Sequence, residues 1–278
     1  MNEKFNNYNT YNFLPRKKLE RFGEGGRRFL NLDKKPFFSI ITVVLNGEKF
    51  LNNTIASLSN QTCKDFEYII IDGGSSDKSL DIIKKNSELI DYWVSEKDNG
   101  LYDAFNKGIS VANGEFIGII NSDDTYTPDA LNIIKKYILE NNHIDFIFGS
   151  VKKHWGILHG YKPKKIRYSW GFYSSHSTGF FIKRESARQV GLYNIKYKYH
   201  ADYDYFYRMI VKNKMRGMAT KQEEVVGVFR RGGFSSTIKF WDSFLEEIKI
   251  RYDNRQNILI IAVIFFYKLL KNINKVFR

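Results

Sequence analysis

The chain has 278 residues, of which 43% are hydrophobic and 16% aromatic, and its formal net charge is +14. This composition excludes general disorder, and the single cysteine, Cys63, excludes an intramolecular disulfide framework, which fits a reducing cytoplasm. The positive charge attracts polyanions such as nucleic acid, anionic lipid or phosphorylated small molecules, but a general role in solubility explains it equally well.

Residues 1–36 are rich in Asn, Lys and Arg, and we expect them to form a basic extension with weak local structure. Residues 1–12 are polar and show no apolar stretch behind a basic start, so no signal peptide is expected. The longest apolar run, residues 258–267, is far shorter than the roughly 20 residues that cross a bilayer. We therefore expect a cytoplasmic protein, with peripheral contact at the inner face of the cytoplasmic membrane as an option.

From residue 37 onward, strand-like and helix-like segments alternate. Residues 38–45 form a continuous β-branched run, which is typical of a strand buried on both faces. The pattern predicts further strands at residues 66–71, 92–95 and 116–120. It predicts helices at residues 48–60, 77–85 and 102–112, and another from about Pro128. This alternation predicts an α/β fold with right-handed βαβ units and a mostly parallel sheet.

The pattern is less regular after residue 147. Strands are predicted at residues 179–183 and 225–229, and a helix is predicted at residues 202–212. Residues 238–278 predict two helices, of which the second is apolar at its start and basic at its end. The chain is thus predicted to have three parts: a basic extension (1–36), an α/β domain (37–236) and C-terminal helices (237–278).

Polar and acidic residues follow each of the first four predicted strands. They are Asn46 and Gly47, then residues 72–77, then Glu96, Asp98 and Asn99, then residues 121–124. Because ligands of open α/β sheets bind beyond the carboxyl ends of the strands, we expect these residues to meet at one edge. Helix capping explains Ser76 or Asp77, but it explains Asp123 and Asp124 poorly, because Thr127 already precedes Pro128 as a candidate cap.

Two adjacent carboxylates beside a phosphate-bearing substrate indicate a cation. Oxygen ligands select Mg²⁺ or Mn²⁺, which typically bridge one or two carboxylates to a diphosphate. Such an ion would stabilise the charge on a departing nucleoside diphosphate. The glycine pairs that begin at Gly25 and Gly232 form neither a P-loop nor a dinucleotide fingerprint, which disfavours ATPases and dehydrogenases.

Several ordered motifs resemble those of family 2 glycosyltransferases with the GT-A fold. They are FSIITVVLNG (38–47), NQT (60–62), EYIIIDGGSSD (67–77), SEKDNGLYDAFNKG (95–108), GEF (114–116) and NSDD (121–124). The resemblance runs from about residue 37 to residue 236. It implies a Rossmann-like central sheet flanked by helices, and a transferase that inverts the anomeric carbon of a sugar taken from a nucleotide-sugar donor. UDP is the expected nucleotide, with dTDP and GDP left open.

The resemblance also implies roles on the donor side. The residues expected to bind the nucleotide-sugar are Val43, Asn46, Asp72, Asp103, Ser122, Asp124 and His176. Asp72 would recognise the base, and Asp103 would lie near the base or ribose. Asp123 would hold Mn²⁺ or Mg²⁺ on the diphosphate. The family element begins with Asp where this chain has Asn121, which leaves fewer charged ligands for the metal.

The acceptor side is implied by motifs in the second half of the chain. The segments GLY (191–193) and ADYD (201–204) resemble the family's approach to its catalytic base, which implies that Asp202 deprotonates the acceptor hydroxyl, with Asp204 as a fallback. His176 resembles a histidine near the active site, although a surface or capping role also fits. Residues 230–236 resemble a loop near the donor phosphates that would close as a lid, and an ordinary turn fits equally well.

These features predict a metal-dependent hexosyl- or related transferase in the synthesis of lipopolysaccharide, capsule or exopolysaccharide. The expected acceptor is a saccharide or a lipid-linked saccharide. The alternative is a catalytically degenerate nucleotide-sugar-binding subunit of a polysaccharide assembly complex. Nucleotidyltransferases are disfavoured because no Gly-rich basic loop follows the first strand, and no motif indicates a nucleic-acid partner.

The C-terminal helices suggest a further partner. The apolar run is followed by the basic residues Lys268, Lys271, Lys275 and Arg278. An apolar face flanked by cations favours peripheral contact with an anionic membrane. Packing on the α/β domain, or on a second subunit of a homo-oligomer, is the alternative.

Overall fold

The computed structural model describes residues 21–30, 35–168, 177–233 and 238–272. Its strands are β1 (Arg21–Gly25), β2 (Phe38–Val44), β3 (Phe66–Asp72), β4 (Tyr92–Glu96), β5 (Phe116–Asn121), β6 (Thr125–Tyr126), β7 (Phe146–Phe148), β8 (Ser150–Lys153), β9 (Gly156–Leu158), β10 (Phe180–Lys183), β11 (Gly217–Ala219) and β12 (Val225–Val228). Its helices are α1 (Leu51–Ser59), α2 (Ser79–Lys85), α3 (Leu101–Val111), α4 (Ala130–Glu140), α5 (Pro163–Tyr168), α6 (Arg184–Val190), α7 (Ala201–Tyr207), α8 (Phe240–Asp253) and α9 (Ile258–Lys271).

The larger sheet has the strand order β1-β4-β3-β2-β5-β10-β7-β11 within the described ranges. Strands β4, β3, β2 and β5 run parallel to one another, as do β7 and β11, whereas β1 and β10 are antiparallel to their neighbours. The carboxyl ends of β2, β3, β4 and β5 therefore lie along one edge. The predicted α/β fold with a mostly parallel central sheet is confirmed.

Both faces of the central strands are buried, which explains their continuous apolar sequences. Successive side chains of a strand point to opposite faces, so alternate residues enter two different cores. One core contains Ile41, Val43, Ile69 and Ile71. The other contains Phe38, Ile40, Tyr68 and Ile70. Every residue of β2 is buried, and only Leu45, just past its end, emerges with 65% of its surface exposed.

The weak local structure expected for residues 1–36 is wrong for residues 21–25, which form β1 and pair with β4 at the edge of the large sheet. The glycines of this segment have a specific role in the strand. A Cβ at Gly23 would come within 3.0 Å of the Trp93 ring, and one at Gly25 within 2.9 Å. The strand needs glycine because the indole covers its backbone.

A second sheet, with the order β6-β12-β8-β9, was not predicted. Of its strands only β12 was predicted, at residues 225–229; β6, β8 and β9 are two to four residues long, too short for an alternating pattern to stand out in the sequence. The helix predicted from about Pro128 is α4, which begins at Ala130. Thr127 does not cap α4. The Thr127 hydroxyl donates to the Val225 carbonyl at 2.8 Å and so connects the segment before α4 to β12.

Two helices follow the α/β part, as predicted, although Lys275 and Arg278 lie outside the described residues. Helix α8 packs against α7, and α9 packs back on α8, where the Phe244 and Phe265 rings are 5.1 Å apart. Among the described residues, no helix has both the length and the apolar character needed to cross a membrane.

Candidate active site

The loops that follow β2 and β3 are joined by hydrogen bonds at the carboxyl edge of the sheet. Asn46 adopts a positive φ of 54°, and its side-chain oxygen accepts from the Ser76 amide at 2.8 Å. The backbone amide of Asn46 donates to the Ser75 hydroxyl at 2.8 Å. Asp77 accepts from the Glu48 amide at 2.9 Å. These bonds hold the two predicted nucleoside-binding loops in one rigid unit.

Asp72 ends β3 and is fully buried. Its carboxylate accepts hydrogen bonds of 2.5 Å from the hydroxyls of Ser75 and Ser95, so it links the β3 loop to β4. Buried carboxylates require such donors, because an unsatisfied charge in the interior costs several kcal/mol. The carboxylate is thus held in one orientation beneath the Gly73-Gly74 turn.

A buried lysine organises the loop between β4 and α3. Lys107 is 4% exposed and contacts Asp98 and Glu96, with its Nζ 2.8 Å from Glu96 Oε1 and 3.9 Å from Asp103 Oδ2. Burial raises the pKa of Asp98, although the Lys107 ammonium acts in the opposite direction. Asp103 accepts from the Asn99 amide at 2.9 Å. The loop that carries Asp98 and Asp103 is therefore built around one internal cation.

Asp124 follows β5 and is fully buried. One carboxylate oxygen accepts from the Thr178 hydroxyl at 2.6 Å and the Asn121 amide group at 3.2 Å, and the other accepts from the Arg230 amide at 3.0 Å. Burial raises the pKa of Asp124 to about 6, against the hydrogen bonds from Thr178 and Arg230. Asn121 thus orients Asp124, whose oxygens are both engaged by protein donors.

This raised pKa predicts a pH-dependent stability. A carboxyl group whose folded-state pKa lies above its unfolded value of 3.8 stabilises the fold below about pH 4, and this contribution is lost as pH rises through about 6. In chelator-containing buffer, the unfolding free energy of the wild type relative to Asp124→Asn should fall by about 3 kcal/mol across this interval. Urea titrations at several pH values measure the difference. A difference in unfolding free energy that stays constant with pH would contradict this prediction. The control is Asp129→Asn, because Asp129 is exposed and lies nearby.

Asp123 is oriented toward the loop that follows β12. The Arg230 guanidinium binds one of its oxygens, Oδ2, through Nη2 at 2.8 Å and Nε at 3.2 Å, and lies 3.9 Å from the centre of the Phe50 ring. A Cβ at Gly233 would come within 3.2 Å of the same oxygen, so this loop approaches Asp123 closely. Arg230 therefore connects the β2, β5 and β12 loops.

The fit of a divalent metal depends on Asp123. Within the described ranges, no three or more His, Cys, Asp or Glu side chains form a group that could hold a metal ion. Mg²⁺ and Mn²⁺ often take only one or two carboxylates and obtain their other ligands from substrate phosphates and water. Since Asp124 is engaged by protein donors, the residues fit an ion held by Asp123 together with a diphosphate.

Asp202 lies in the first turn of α7, as predicted. Its Oδ1 accepts from the Tyr203 amide at 2.8 Å and lies 3.2 Å from the Tyr102 hydroxyl of α3, which is also 2.9 Å from the Tyr199 carbonyl. Tyr102 is the neighbour of Asp103 in the chain. Helix α3 therefore brings Asp103 and Asp202, the carboxylates predicted for the donor and acceptor sides, to the same region of the molecule.

Asp204, the fallback for the base, has structural partners. It is 3% exposed and pairs with Arg208 at 2.9 Å, while Asn254 donates to its other oxygen at 2.7 Å. Arg208 in turn donates to the Leu192 carbonyl at 2.8 Å. Asp204 thus joins α7 to the segment before it and to the C-terminal helices, which favours Asp202 as the base.

Val43, Ser122 and His176 are the remaining residues that were predicted to bind the nucleotide-sugar. Val43 is 5% exposed in β2 and belongs to the core beneath the site. Ser122 lies beside the β2 loop, where a Cβ at Gly47 would come within 3.2 Å of its hydroxyl. His176 lies outside the described residues.

Two residues near the site were not anticipated from the sequence. Glu246 of α8 accepts from the consecutive amides of Lys198, Tyr199 and His200 at 2.5 to 2.8 Å and so fixes the entry to α7. Phe22 of β1 lies against the Gly74 backbone. Both residues are far in sequence from the residues that they contact. The available signals were weak: Glu246 is an acid on an amphipathic helix, and Phe22 is an aromatic residue in a polar extension.

Comparison with known proteins identifies the family. The family model for glycosyl transferase family 2 matches residues 39–211, more than half of the chain. A PGL/p-HBAD biosynthesis glycosyltransferase of Mycobacterium bovis is 29% identical over 220 residues, which cover 73% of this chain and 80% of that protein.

Two solved structures share the fold. TarS 1–349 of S. aureus, in complex with UDP-GlcNAc, has a TM-score of 0.60 and 18% identity, over 77% of this chain and 65% of that one. The chain spans 39% of the longer TarS structure. The mannosyltransferase PcManGT of Pyrobaculum calidifontis, in complex with GDP-Man and Mn²⁺, has a TM-score of 0.59 and 15% identity, over 81% of this chain and 66% of that one. With the GT-A fold shared by these structures and a family match that spans β2 to the end of α7, the chain belongs to glycosyl transferase family 2.

Proposed function

We propose that the protein is an inverting glycosyltransferase that moves a sugar from a nucleotide-sugar, with UDP as the nucleotide, to a saccharide or lipid-linked saccharide in surface-polysaccharide synthesis. The observation that carries this proposal is the position of Asp202, which α3 links through Tyr102 to the carboxylates at the sheet edge. The UDP-GlcNAc complex of TarS and the PGL/p-HBAD biosynthesis role in the name of the mycobacterial relative support it.

On the donor side, the rigid loops around Asn46 and Asp72 would bind the nucleoside, and the Asp123–Arg230 pair would face the diphosphate. When bound, a divalent cation on Asp123 would supply Lewis-acid stabilisation of the leaving diphosphate. Arg230 adds a fixed positive charge at the same place, and guanidinium groups suit phosphate oxygens.

On the acceptor side, Asp202 would accept the proton of the attacking hydroxyl. The hydroxyl oxygen then forms a bond to the anomeric carbon from the face opposite the diphosphate, which leaves with the electron pair of the broken bond. The N-terminal end of α7 stabilises the negative charge of Asp202 before the proton arrives. The contacts from Tyr102 and Tyr203 hold the carboxylate in place.

The test is a panel of nucleotide-sugars incubated with the purified protein and Mn²⁺, Mg²⁺ or EDTA, with release of nucleoside diphosphate as the readout. Slow metal-dependent hydrolysis of one donor is expected and would identify both nucleotide and sugar. Donor binding without turnover, with or without added acceptors, would instead favour the degenerate binding subunit. Absence of both binding and turnover across the panel would contradict the proposal.

A further inference from the structure

Two depressions lie side by side on the face formed by α5, the π-helical turn Arg208–Lys212 after α7, and α9. One has a volume of about 290 Å³ and is lined by Lys164, Arg167 and Lys214 among others. The other has a volume of about 270 Å³ and an apolar lining that includes Leu259 and Val263. Tyr168 lines both depressions, so they form one continuous surface, which we call the amphipathic face.

The apolar part continues along α9. Leu259, Val263, Phe266 and Leu270 are 72%, 57%, 61% and 69% exposed, and their spacing places them in one stripe along the helix. The opposite side of α9, with Ile261 and Ile264, is buried. An exposed apolar stripe of this extent is unusual for a surface that faces only water.

The charged side chains that line the two depressions are all basic: Lys164, Arg167 and Lys214. The three segments that contribute the lining, residues 161–168, 208–218 and 254–272, contain no Asp or Glu. Their exposed basic residues are Lys162, Lys164, Arg167, Lys212, Lys214, Arg216, Arg255 and Lys271. A cationic border around an apolar centre matches the headgroup and acyl layers of an anionic membrane.

The amphipathic face is rigidly attached to the acceptor side of the site. The Arg167 carbonyl accepts from Arg251 at 3.4 Å and from Gln256 at 2.5 Å, which joins α5 to the C-terminal helices. The Ile166 carbonyl accepts from the Tyr203 hydroxyl at 3.0 Å, and Tyr203 is the neighbour of Asp202. The amphipathic face is therefore joined through α5 to the residue next to Asp202.

We propose that the amphipathic face docks on an anionic lipid bilayer, with the α9 stripe among the acyl chains and the cations on the phosphate groups. A second copy of the chain fits less well, because a two-fold contact would bring two cationic borders of the same sign together. Vesicle flotation without any donor tests this. Vesicles of phosphatidylcholine with phosphatidylglycerol should bind the protein, and binding should weaken with added salt.

Two sets of variants separate the parts of the face. Leu259→Asp with Phe266→Asp should lower the vesicle partition coefficient by about 10- to 100-fold. Lys164→Glu with Lys214→Glu should lower it by about tenfold or more. Leu139→Asp on α4, where the leucine is 64% exposed, and Lys85→Glu on α2 are matched controls that should change nothing. Circular dichroism and donor hydrolysis in vesicle-free solution should stay unchanged in all of them.

Several results would overturn docking on a membrane without affecting the proposed transferase activity. They are absence of wild-type binding to anionic vesicles, equal binding to pure phosphatidylcholine, and binding that the Asp or Glu variants retain. A dimer in sedimentation experiments that Leu259→Asp dissociates, together with no vesicle binding, would assign the face to a second copy.

A different observation concerns Phe22, at the start of β1. Since β1 is antiparallel to β4, its first residues lie beside the carboxyl end of β4, where Arg21 pairs with Glu96 at 3.2 Å. The register shifts between Arg21 and Gly23, so Phe22 lies at a bulge, which redirects its side chain. The ring is 55% exposed.

Phe22 borders a strip of backbone that has no side chains. A Cβ at Gly74 would come within 2.9 Å of Phe22 Cε2, and one at Gly73 within 2.8 Å of Asp98 Oδ2 and 3.6 Å of Leu45 Cδ1. Leu45 is also largely exposed. Next to Asp72, the Phe22 ring therefore lies over Gly74, and Asp98 and Leu45 lie over Gly73. The exposed parts of the Phe22 ring and of the Leu45 side chain form an apolar surface on which a flat heterocycle can pack.

We infer that the Phe22 ring packs on the nucleobase of the donor, so that the N-terminal strand completes the nucleoside pocket. The inference rests on the proposed function, since it requires a nucleoside beside Asp72. A base that stacks on an aromatic ring gains about 1–3 kcal/mol, so Phe22→Ala should weaken UDP binding by about 10- to 100-fold. Phe22→Tyr should retain binding.

Calorimetric titration with UDP tests the role of Phe22. Phe29→Ala is the matched control, because Phe29 is 62% exposed in the same N-terminal segment but packs toward Tyr92. Normal affinity in Phe22→Ala, while the wild type binds UDP, would overturn the role of Phe22 alone. A wild type that binds no nucleoside diphosphate would overturn this inference and the proposed function together.

Discussion

Replacing Asp202 by asparagine is expected to lower kcat for sugar transfer by about 10²- to 10⁴-fold, the usual contribution of a general base. The asparagine side chain can keep the contacts from Tyr102 and the Tyr203 amide, but it cannot accept the acceptor proton. Donor affinity should be essentially unchanged, because Asp202 lies on the acceptor side. Single-turnover transfer and calorimetric donor binding measure the two effects separately.

The matched control is Asp204→Asn, the same chemical change two residues away. It weakens the pair with Arg208 and so should lower the melting temperature while the folded protein keeps its transferase activity. If Asp204→Asn abolished transfer and Asp202→Asn did not, the base would be Asp204. If Asp202→Asn lost donor binding, Asp202 would belong to the donor site.

Replacing Asp123 by alanine is expected to lower kcat/KM by about 10²- to 10³-fold, because Lewis-acid stabilisation of a leaving diphosphate supplies several kcal/mol. In the wild type, Mn²⁺ or Mg²⁺ should strengthen nucleoside diphosphate binding and EDTA should abolish this effect. In Asp123→Ala, binding should no longer respond to the metal. Calorimetry with and without EDTA measures the response, and the exposed Asp129→Ala is the control.

The Asp123–Arg230 pair offers a second explanation that the same experiment separates. If binding to the wild type does not depend on metal and yet Asp123→Ala is defective, Asp123 acts by positioning Arg230. Arg230→Met should then show the same defect. A metal response that survives in Asp123→Ala would place the ion on other residues.

The acidic residues at the sheet edge were predictable because parallel strands end at a common edge, whatever the details of packing. Long apolar runs mark such strands, and the polar residues that follow them must lie near one another. The structure brings Asn46 and Asp72 together in this way, and Asp123 and Asp124 follow β5 on the same edge. Their roles in binding remain predictions.

The same reasoning failed for short elements and for glycine-rich ones. Strands β6, β8 and β9, of two to four residues, have too few positions for an alternating pattern. The glycines of β1 did not indicate a strand, because nothing in the sequence shows that Trp93 would cover them. Local signals also made Thr127 a candidate cap for α4, although its hydroxyl donates to the carbonyl of Val225, almost 100 positions further along the chain.

The sequence by itself determined the α/β class, the edge of the sheet at which the acidic residues lie and the family, because periodicity and motif spacing are properties of the chain alone. Only the tertiary structure distinguished Asp202 from Asp204, which are two residues apart in one helix. Asp204 is buried against Arg208 and Asn254, whereas Asp202 meets Tyr102 from another element. Burial and hydrogen-bond partners decide what a carboxylate can do, and both depend on residues that are distant in the sequence.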